Sequence, residues 1–208
     1  MYKILRRFEI FAVALRCLAK RCCMIPKHGI VKTNELKPAE YRRFLDAVSQ
    51  NEGVIKIKNG IYATLDVLAN DTFDIERIIP GGILCTYSVW SYYGMTTQIP
   101  DSYYVAIDRK RKVRLPSMPA ITLVYISSQN LNLGVTKEKF GDFEVLIYDI
   151  ERCVCDAIKY RNKIGIDVMA EIITWYLKYP NRDLDKLCKY ASRLRVLNIL
   201  KRYLEIYV

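Results

Sequence analysis

The spacing of apolar residues predicts an amphipathic helix from Pro38 to Gln50. Proline is well tolerated in the first helical turn, because the N–H group that it lacks would have no partner there. Apolar side chains then return at intervals of three and four residues, which places them on one face of a helix. This stripe contains Tyr41, Phe44, Leu45 and Val48. The opposite face is polar and contains Glu40, Arg42, Arg43 and Asp46.

A β-hairpin is predicted directly after this helix, from Gly53 to Thr64. The pair Asn59-Gly60 favours a type I′ turn, since both central residues of that turn need positive φ and these residue types tolerate it. The turn sets the predicted cross-strand pairs, which are Lys58–Ile61, Ile57–Tyr62, Lys56–Ala63 and Ile55–Thr64. In that register both lysines point outward, whereas the core face carries Ile55, Ile57 and Tyr62.

A helix with an arginine-bearing outer face, followed by a ribbon with outward lysines, is the order of elements in a winged helix-turn-helix. We therefore predict a DNA-binding domain over residues 1–70. The alternative is a small α+β unit whose charged side chains are only solvated. The candidate DNA-contacting residues of this domain are Glu40, Arg42, Arg43, Lys56, Lys58 and Asn59.

The rest of the chain is predicted to form a second domain over residues 71–208, so that the whole protein is of the α+β class. This domain should hold a small mixed or antiparallel sheet and several helices. Its predicted strands are Tyr103–Ile107, Ile121–Ile126, Leu133–Lys137 and Phe143–Tyr148. Its predicted helices are Ile83–Tyr93, a helix around Ile150–Ile158, Ile166–Leu177, one around Leu184–Cys188, and Leu194–Tyr207. A further helix is expected over residues 2–23.

The positive net charge of the chain favours some classes of binding partner over others. The chain of 208 residues has a formal net charge of +11. Residues 1–70 hold 13 Lys and Arg against 6 Asp and Glu, so most of the excess lies in the predicted DNA-binding domain. A basic surface of this kind favours a polyanionic partner. Five cations in six residues form a second basic feature, a candidate phosphate-contacting tip made of Arg109, Lys110, Arg111, Lys112 and Arg114.

The residues offer little for catalysis or for a cofactor. The single histidine, His28, leaves no clear general base for a serine or cysteine nucleophile. The seven cysteines include no Cys-x-x-Cys pair, so we expect reduced thiols that mostly fill apolar space. Asp149 and Glu151 could hold a divalent metal, but they stand at a strand-to-helix junction where acidic residues are common. We expect a protein without catalysis, metal or cofactor.

No stretch approaches the 18 or so apolar residues of a membrane-spanning helix. Between Met1 and Cys23 the longest uncharged run is Ile10–Leu15, which is short for a signal peptide and is bounded by Glu9 and Arg16. We therefore expect a cytoplasmic protein that is not exported.

Several motifs of the second domain resemble one family. They are Ile79-Pro80-Gly81-Gly82-Ile83-Leu84-Cys85 with Ser88, the run from Ser91 to Pro100 that contains Thr96-Thr97-Gln98-Ile99-Pro100, and the run from Lys159 to Val168. Together they look like the C-terminal domain of AbiEi-type antitoxins, which belong to abortive-infection, type IV toxin-antitoxin systems. The resemblance covers nearly all of residues 28–208, because that family also has an N-terminal winged helix.

The resemblance implies an antitoxin that also represses its own promoter. The winged helix would bind repeats in promoter DNA, and the C-terminal domain would counteract a nucleotidyltransferase toxin, either directly or without contact. Such a protein would be a monomer in solution that binds DNA repeats cooperatively. The resemblance assigns the antitoxin function to three basic residues, which we call the basic corner: Lys159, Arg161 and Lys163.

Two other hypotheses from different classes stay open at this point. One is a metal-dependent, nucleic-acid-modifying enzyme that uses Asp149 and Glu151. The other is an interaction scaffold that binds a protein partner and ignores DNA. Metal-dependent turnover would favour the first, and binding to a neighbouring gene product without DNA binding would favour the second.

Overall fold

A computed structural model describes residues 30–49, 54–64, 74–116, 118–140 and 143–207. The chain divides into two compact units, Met1–Phe73 and Asp74–Val208. Both units combine helices and a β-sheet among the described residues, which confirms the predicted α+β class. Three predicted features lie outside the described residues: the helix expected over residues 2–23, His28, and the domain boundary at residues 70–71.

The first unit contains a three-stranded antiparallel sheet and one helix in its described part. Strand β1 is Ile30–Lys32, and a 3₁₀ turn, Thr33–Glu35, follows it. Helix α1 is Pro38–Ser49, one residue shorter than predicted. Strands β2, Val54–Lys58, and β3, Ile61–Thr64, form the hairpin, and β1 pairs with the other side of β3 to give the order β1-β3-β2.

The register of the hairpin differs from the prediction beyond its first pair. Lys58 lies opposite Ile61 as expected, and Gly60 at the turn has φ of 80°, which glycine adopts without steric cost. An irregularity between Lys56 and Lys58 then leaves Ile57 without an opposite residue, so the predicted pairing is wrong by one residue from there on. The observed pairs are Lys56–Tyr62, Ile55–Ala63 and Val54–Thr64. One extra residue in one strand is a β-bulge, which two-residue turn chemistry does not reveal.

Helix α1 packs on the ribbon through one aromatic contact. The ring of Phe44, which is buried, meets the ring of Tyr62 edge-to-face with 5.0 Å between centroids. Val31, Ile57 and Ile61 are buried in the same unit. Tyr41 and Leu45, two members of the predicted apolar stripe, are more than a third exposed. Phe44 is therefore the main anchor of this helix among the residues of the stripe.

The second unit is built on a five-stranded mixed sheet. Its strands are β4, Ile83–Leu84; β5, Tyr103–Asp108; β6, Ile121–Ile126; β7, Val135–Phe140; and β8, Phe143–Tyr148. The strand order is β6-β5-β4-β8-β7. The pairs β5–β6 and β4–β8 are parallel, and the pairs β4–β5 and β7–β8 are antiparallel. The sequence predicted four of these five strands, with two of them displaced at their ends.

The central strand β4 is the one that the sequence analysis missed. A helix over Ile83–Tyr93 was predicted, but Ile83 and Leu84 form a buried strand, and only Tyr87–Tyr92 form a helix, α3. A strand buried on both faces reads as a continuous apolar run, which periodicity cannot distinguish from the start of a buried helix. Thr86, with φ of 44°, lies between the strand and the helix.

Helices complete the second unit. The short helices α2, Ile75–Ile78, and α4, Ser128–Leu131, lie in connections. The four longer ones are α5, Ile150–Ile164; α6, Ile166–Lys178; α7, Leu184–Arg193; and α8, Leu197–Tyr207. Gly165 joins α5 to α6 with φ of 96°, a conformation that L side chains rarely adopt. Helix α5 contacts α6, α7 and α8, so it lies at the centre of this helical layer. No helix of the described residues is long and apolar enough to cross a membrane.

Candidate functional site

The basic candidates of the first unit lie on its surface. Arg42 and Arg43 are exposed on helix α1, away from the buried Phe44. Lys56 on strand β2 and Asn59 at the turn are exposed as well. The side chain of Lys58 lies outside the described residues. Cations are therefore exposed on both the helix and the ribbon that packs against it.

Glu40 has a structural role in the same helix. Its Oε2 accepts a hydrogen bond from the backbone N–H of Lys37 at 3.0 Å, directly before the first turn of α1. An acidic side chain at this position pairs a backbone donor that the helix leaves free, and it also interacts favourably with the helix dipole. Glu40 can thus set where α1 begins, although the sequence analysis grouped it with the DNA-contacting residues.

The basic run of the second unit leaves the end of strand β5 as a tight turn. The Asp108 carboxylate accepts the backbone N–H of Lys110 at 2.8 Å. The side chain of Arg111 is held in place by a hydrogen bond, which its Nη1 donates to the carbonyl of Pro80 at 2.6 Å. The other four cations of the run are exposed: Arg109, Lys110, Lys112 and Arg114. The run therefore offers four cations to solvent and uses one to hold the loop that contains Pro80.

The basic corner, to which the resemblance assigns the antitoxin function, lies on helix α5. Lys159 and Arg161 are half-buried, whereas Lys163 is exposed. The Lys159 ammonium lies 5.6 Å from the ring centroid of Tyr160, and Nη1 of Arg161 donates to the carbonyl of Ile158 at 3.1 Å. Lys163 is thus the member of the three that is most open to a partner.

Tyr160 lies between Lys159 and Arg161 on helix α5 and is half-buried. Burial raises the pKa of Tyr160 to about 12, and the nearby Asp156 adds to the rise.

Asp149 and Glu151, the residues of the enzyme hypothesis, are occupied by protein groups. Lys186 Nζ lies 3.1 Å from Oδ2 of Asp149 and 2.9 Å from Oε2 of Glu151. Asp149 also caps helix α5 by accepting the N–H of Arg152 at 2.8 Å. In addition, it accepts a hydrogen bond from the Tyr190 hydroxyl at 3.1 Å.

Through these contacts the two carboxylates stabilise the fold, since they pair with Lys186 and Asp149 caps helix α5. Burial acts to lower the pKa of Lys186, but hydrogen bonds to Glu151 and Asp149 raise it, so the ammonium form is favoured. A divalent metal between Asp149 and Glu151 would have to displace this ammonium. Within the described ranges, no group of three or more His, Cys, Asp or Glu residues is arranged to hold a metal.

A buried ion pair lies next to this cluster, and the sequence analysis did not identify it. Arg152 Nε donates to Oδ2 of Asp156 at 3.0 Å, and both side chains are almost fully buried. Nη1 of Arg152 donates to the carbonyls of Asn130 and Leu133, and its guanidinium lies 4.3 Å from the ring centroid of Tyr148. The sequence signal was the pair of opposite charges four residues apart in a helix.

Four cysteines of the second unit are free thiols: Cys85, Cys153, Cys155 and Cys188. The first three are buried, and burial raises the pKa of each of them. A thiol held in its neutral form is a poor nucleophile and a poor metal ligand. These three cysteines therefore act as small apolar residues of the core, and the sequence suggested the same role.

No protein-family model matches this chain, and no curated protein sequence matches it.

Proposed function

We propose that this protein is a DNA-binding autorepressor and the antitoxin of a type IV, AbiE-like toxin-antitoxin system. In this proposal the first unit is a winged helix-turn-helix with α1 as recognition helix and the β2–β3 hairpin as wing. The second unit counteracts a nucleotidyltransferase toxin.

One observation carries the DNA-binding part of the proposal. Helix α1 packs against the antiparallel ribbon through Phe44 and Tyr62, and cations are exposed on both elements. A helix has the dimensions to enter the major groove, and a neighbouring ribbon can contact the adjacent phosphate backbone. Arginine suits both base edges and phosphates, since its planar guanidinium donates two parallel hydrogen bonds. The net charge of +11 adds a sequence-independent attraction to DNA.

The antitoxin part rests on the motif resemblance and on the basic region of the second unit. There the run after strand β5 exposes Arg109, Lys110, Lys112 and Arg114, and helix α5 exposes Lys163. A basic region suits either the acidic surface of a partner protein or the polyanion on which that partner acts. A nucleotidyltransferase-like gene adjoining this one would agree with the proposal.

Neutralising the basic residues of the first unit tests the DNA-binding part. A variant with Arg42→Ala, Arg43→Ala, Lys56→Ala and Lys58→Ala should lose at least about 100-fold in affinity for its own promoter DNA. Loss of up to four phosphate contacts should also reduce the magnitude of the slope of log K against log salt by up to about 3.6. Fluorescence anisotropy with labelled promoter DNA over a range of salt concentrations measures both quantities.

The matched control removes charge elsewhere. Lys201→Ala with Arg202→Ala neutralises two exposed cations of helix α8 and should change affinity by less than about threefold. Equal binding by the four-residue variant and the wild type would reject the assignment of this surface. Thermal unfolding of each variant shows whether the fold is retained.

Co-expression tests the antitoxin part separately. If a nucleotidyltransferase gene adjoins this one, the wild-type chain should restore growth of cells that express its product. A variant with Lys159→Ala, Arg161→Ala and Lys163→Ala should protect them less while it still binds promoter DNA. Full protection by that variant would remove this corner from the proposed antitoxin function.

A further inference from the structure

A carboxylate of helix α6 fixes the connection between helix α3 and strand β5. Oε2 of Glu171 accepts a hydrogen bond from the Thr96 hydroxyl at 2.9 Å, and Oε1 accepts the backbone N–H of Thr97 at 2.8 Å. The hydroxyl oxygen of Thr96 in turn accepts the N–H of Gln98 at 3.2 Å. These bonds hold consecutive residues of an exposed loop in one conformation. The proposed function gives this loop no role.

The fixed loop presents an apolar side chain to solvent. Ile99 lies two residues after Thr97 and is 91% exposed. Ile166 lies on α6, about one and a half turns before Glu171, and is 62% exposed. Among the described residues these two are the most exposed large apolar side chains. Two exposed isoleucines beside one rigid contact are typical of a surface that another molecule covers.

Cations are missing from this part of the chain. No Lys or Arg occurs from Ile78 to Asp108 or from Ile164 to Leu177, although the whole chain has 33 of them. Burial does not explain their absence near the loop, because seven of the eleven residues from Ser91 to Asp101 are exposed. The surface around Ile99 therefore differs in charge from a chain whose net charge is +11.

Carboxylates accompany the two isoleucines. Asp101 and Asp167 are exposed, and Glu171 is half-buried. Asp167 and Glu171 are four residues apart in α6, so they lie on the same side of that helix. The first cation before this segment of α6 is Lys163, near the end of α5. We call this surface the acidic face, and it consists of Ile99, Asp101, Ile166, Asp167 and Glu171.

We propose that the acidic face binds a partner protein through a basic surface of that partner. Ile99 and Ile166 are the apolar anchors of the contact, and Asp101 and Asp167 pair with cations of the partner. Electrostatic complementarity selects this class of partner, since opposite charges at an interface favour the encounter and the correct register. The protein then has two binding surfaces of opposite charge.

Charge also excludes other occupants of this face. DNA, RNA and an anionic membrane would meet carboxylates here instead of the cations that bind phosphate. A second copy of this chain is disfavoured, because two copies with a net charge of +11 repel each other over most of their surfaces. The inference depends neither on DNA binding nor on the antitoxin function, so its test leaves the proposed function untouched.

A synthetic amphipathic helix made only of Leu and Lys is the probe for this surface. NMR titration of the full chain with this peptide, up to about 1 mM, should shift amide signals of residues 98–101 and 166–171. We expect a dissociation constant on the order of 0.1 to 1 mM, because a short peptide makes only part of a protein contact. A peptide with Glu in place of Lys should not shift these signals.

Ile99→Ser together with Ile166→Ser should raise the dissociation constant of the Leu/Lys peptide at least about fivefold, since it removes both apolar anchors. Met118→Ser is the matched control, because Met118 is also exposed, at 49%, but lies in the connection between β5 and β6. Its affinity should equal that of the wild type. All three side chains are exposed, so the fold should be retained, which thermal unfolding checks.

Three results overturn the proposal. One is the absence of shifts at the acidic face at the highest peptide concentration. Another is equal affinity of the double variant and Met118→Ser. The third is a set of shifts at these residues that depends on the concentration of the chain alone, which would assign the face to a second copy.

Glu171 is a positioning residue in this proposal, and hydrogen exchange separates that role from its charge. Glu171→Ala should remove the protection of the Thr97 amide and weaken peptide binding about threefold or more. Glu171→Gln keeps an oxygen that can accept the Thr97 N–H, so protection should be retained. Unchanged protection of Thr97 in Glu171→Ala would show that Glu171 does not hold the loop.

Discussion

At the scale of single residues, Lys186 has the clearest structural role in the second unit. Its ammonium joins Asp149 and Glu151, at the start of helix α5, to helix α7. The two carboxylates are nearly buried, so without a cation they would repel each other in a poorly solvated position. Lys186 itself is 38% exposed, which reduces the strength of both ion pairs through solvent screening.

We expect Lys186→Met to lower the free energy of unfolding by about 1–3 kcal/mol, less than the loss for a fully buried pair because of this exposure. The pKa of Lys186 is raised in the folded state. Its contribution is therefore fully present below the unfolded pKa of about 10.4 and is lost as the pH rises above that value. Urea denaturation at pH 7 and pH 11 measures both effects.

Lys189→Met is the control for this prediction, since it removes an exposed lysine from the same helix. Its effect should stay within about 0.5 kcal/mol. If the two variants were equally stable at pH 7, the ion pairs of Lys186 would contribute nothing measurable, and the burial of the two carboxylates would need another explanation.

At the scale of elements, the first unit depends on how helix α1 contacts its ribbon. The aromatic pair Phe44–Tyr62 is the described ring contact between them, and the rest of the apolar stripe of α1 is more exposed. The bulge at Ile57 turns that residue into the core, where it is 3% exposed. The orientation of helix α1 relative to the ribbon, on which the proposed DNA contact depends, thus rests on a few apolar side chains.

Phe44→Ala should destabilise the first unit by about 3–5 kcal/mol, since it removes a buried aromatic ring and leaves a cavity. A small unit has little stability to lose, so its DNA binding should fall with it. Hydrogen exchange read by mass spectrometry can follow residues 30–64 and 74–207 separately. Protection should be lost in the first range and retained in the second.

Leu45→Ala is the matched change on the same helix, at a side chain that is 38% exposed. It should leave protection of the first range nearly unchanged. Equal loss of protection in the two variants would mean that Phe44 is not the anchor of α1.

At the scale of the whole molecule, the proposed DNA binding should depend steeply on salt, because each phosphate contact releases counterions. With about five phosphate contacts per chain, affinity for any duplex should fall roughly 10²- to 10³-fold between 50 and 200 mM salt. Promoter and unrelated DNA should show similar slopes, because phosphate contacts carry no sequence information. Titrations of both duplexes at several salt concentrations measure this. A slope near zero would indicate that the basic surface does not face phosphates.

The sequence by itself determined the α+β class, most of the helices, four of the five strands of the second unit, and the helix–hairpin order of the first unit. These features depend on local periodicity and on turn residues such as Asn59-Gly60, whose effects act within a few positions along the chain. The apolar role of the buried cysteines followed from their spacing, which contains no Cys-x-x-Cys pair.

Tertiary structure alone decided the rest. The β-bulge at Ile57 and the central strand β4 depend on which strands lie beside them, and sequence periodicity carries no information on neighbours. The partnership of Lys186 with Asp149 and Glu151 joins groups more than thirty residues apart in sequence. Likewise, only the strand order shows that β6 lies at an edge. Contacts between distant segments are settled by packing of the whole chain, because that packing determines which side chains meet and which backbone groups stay open.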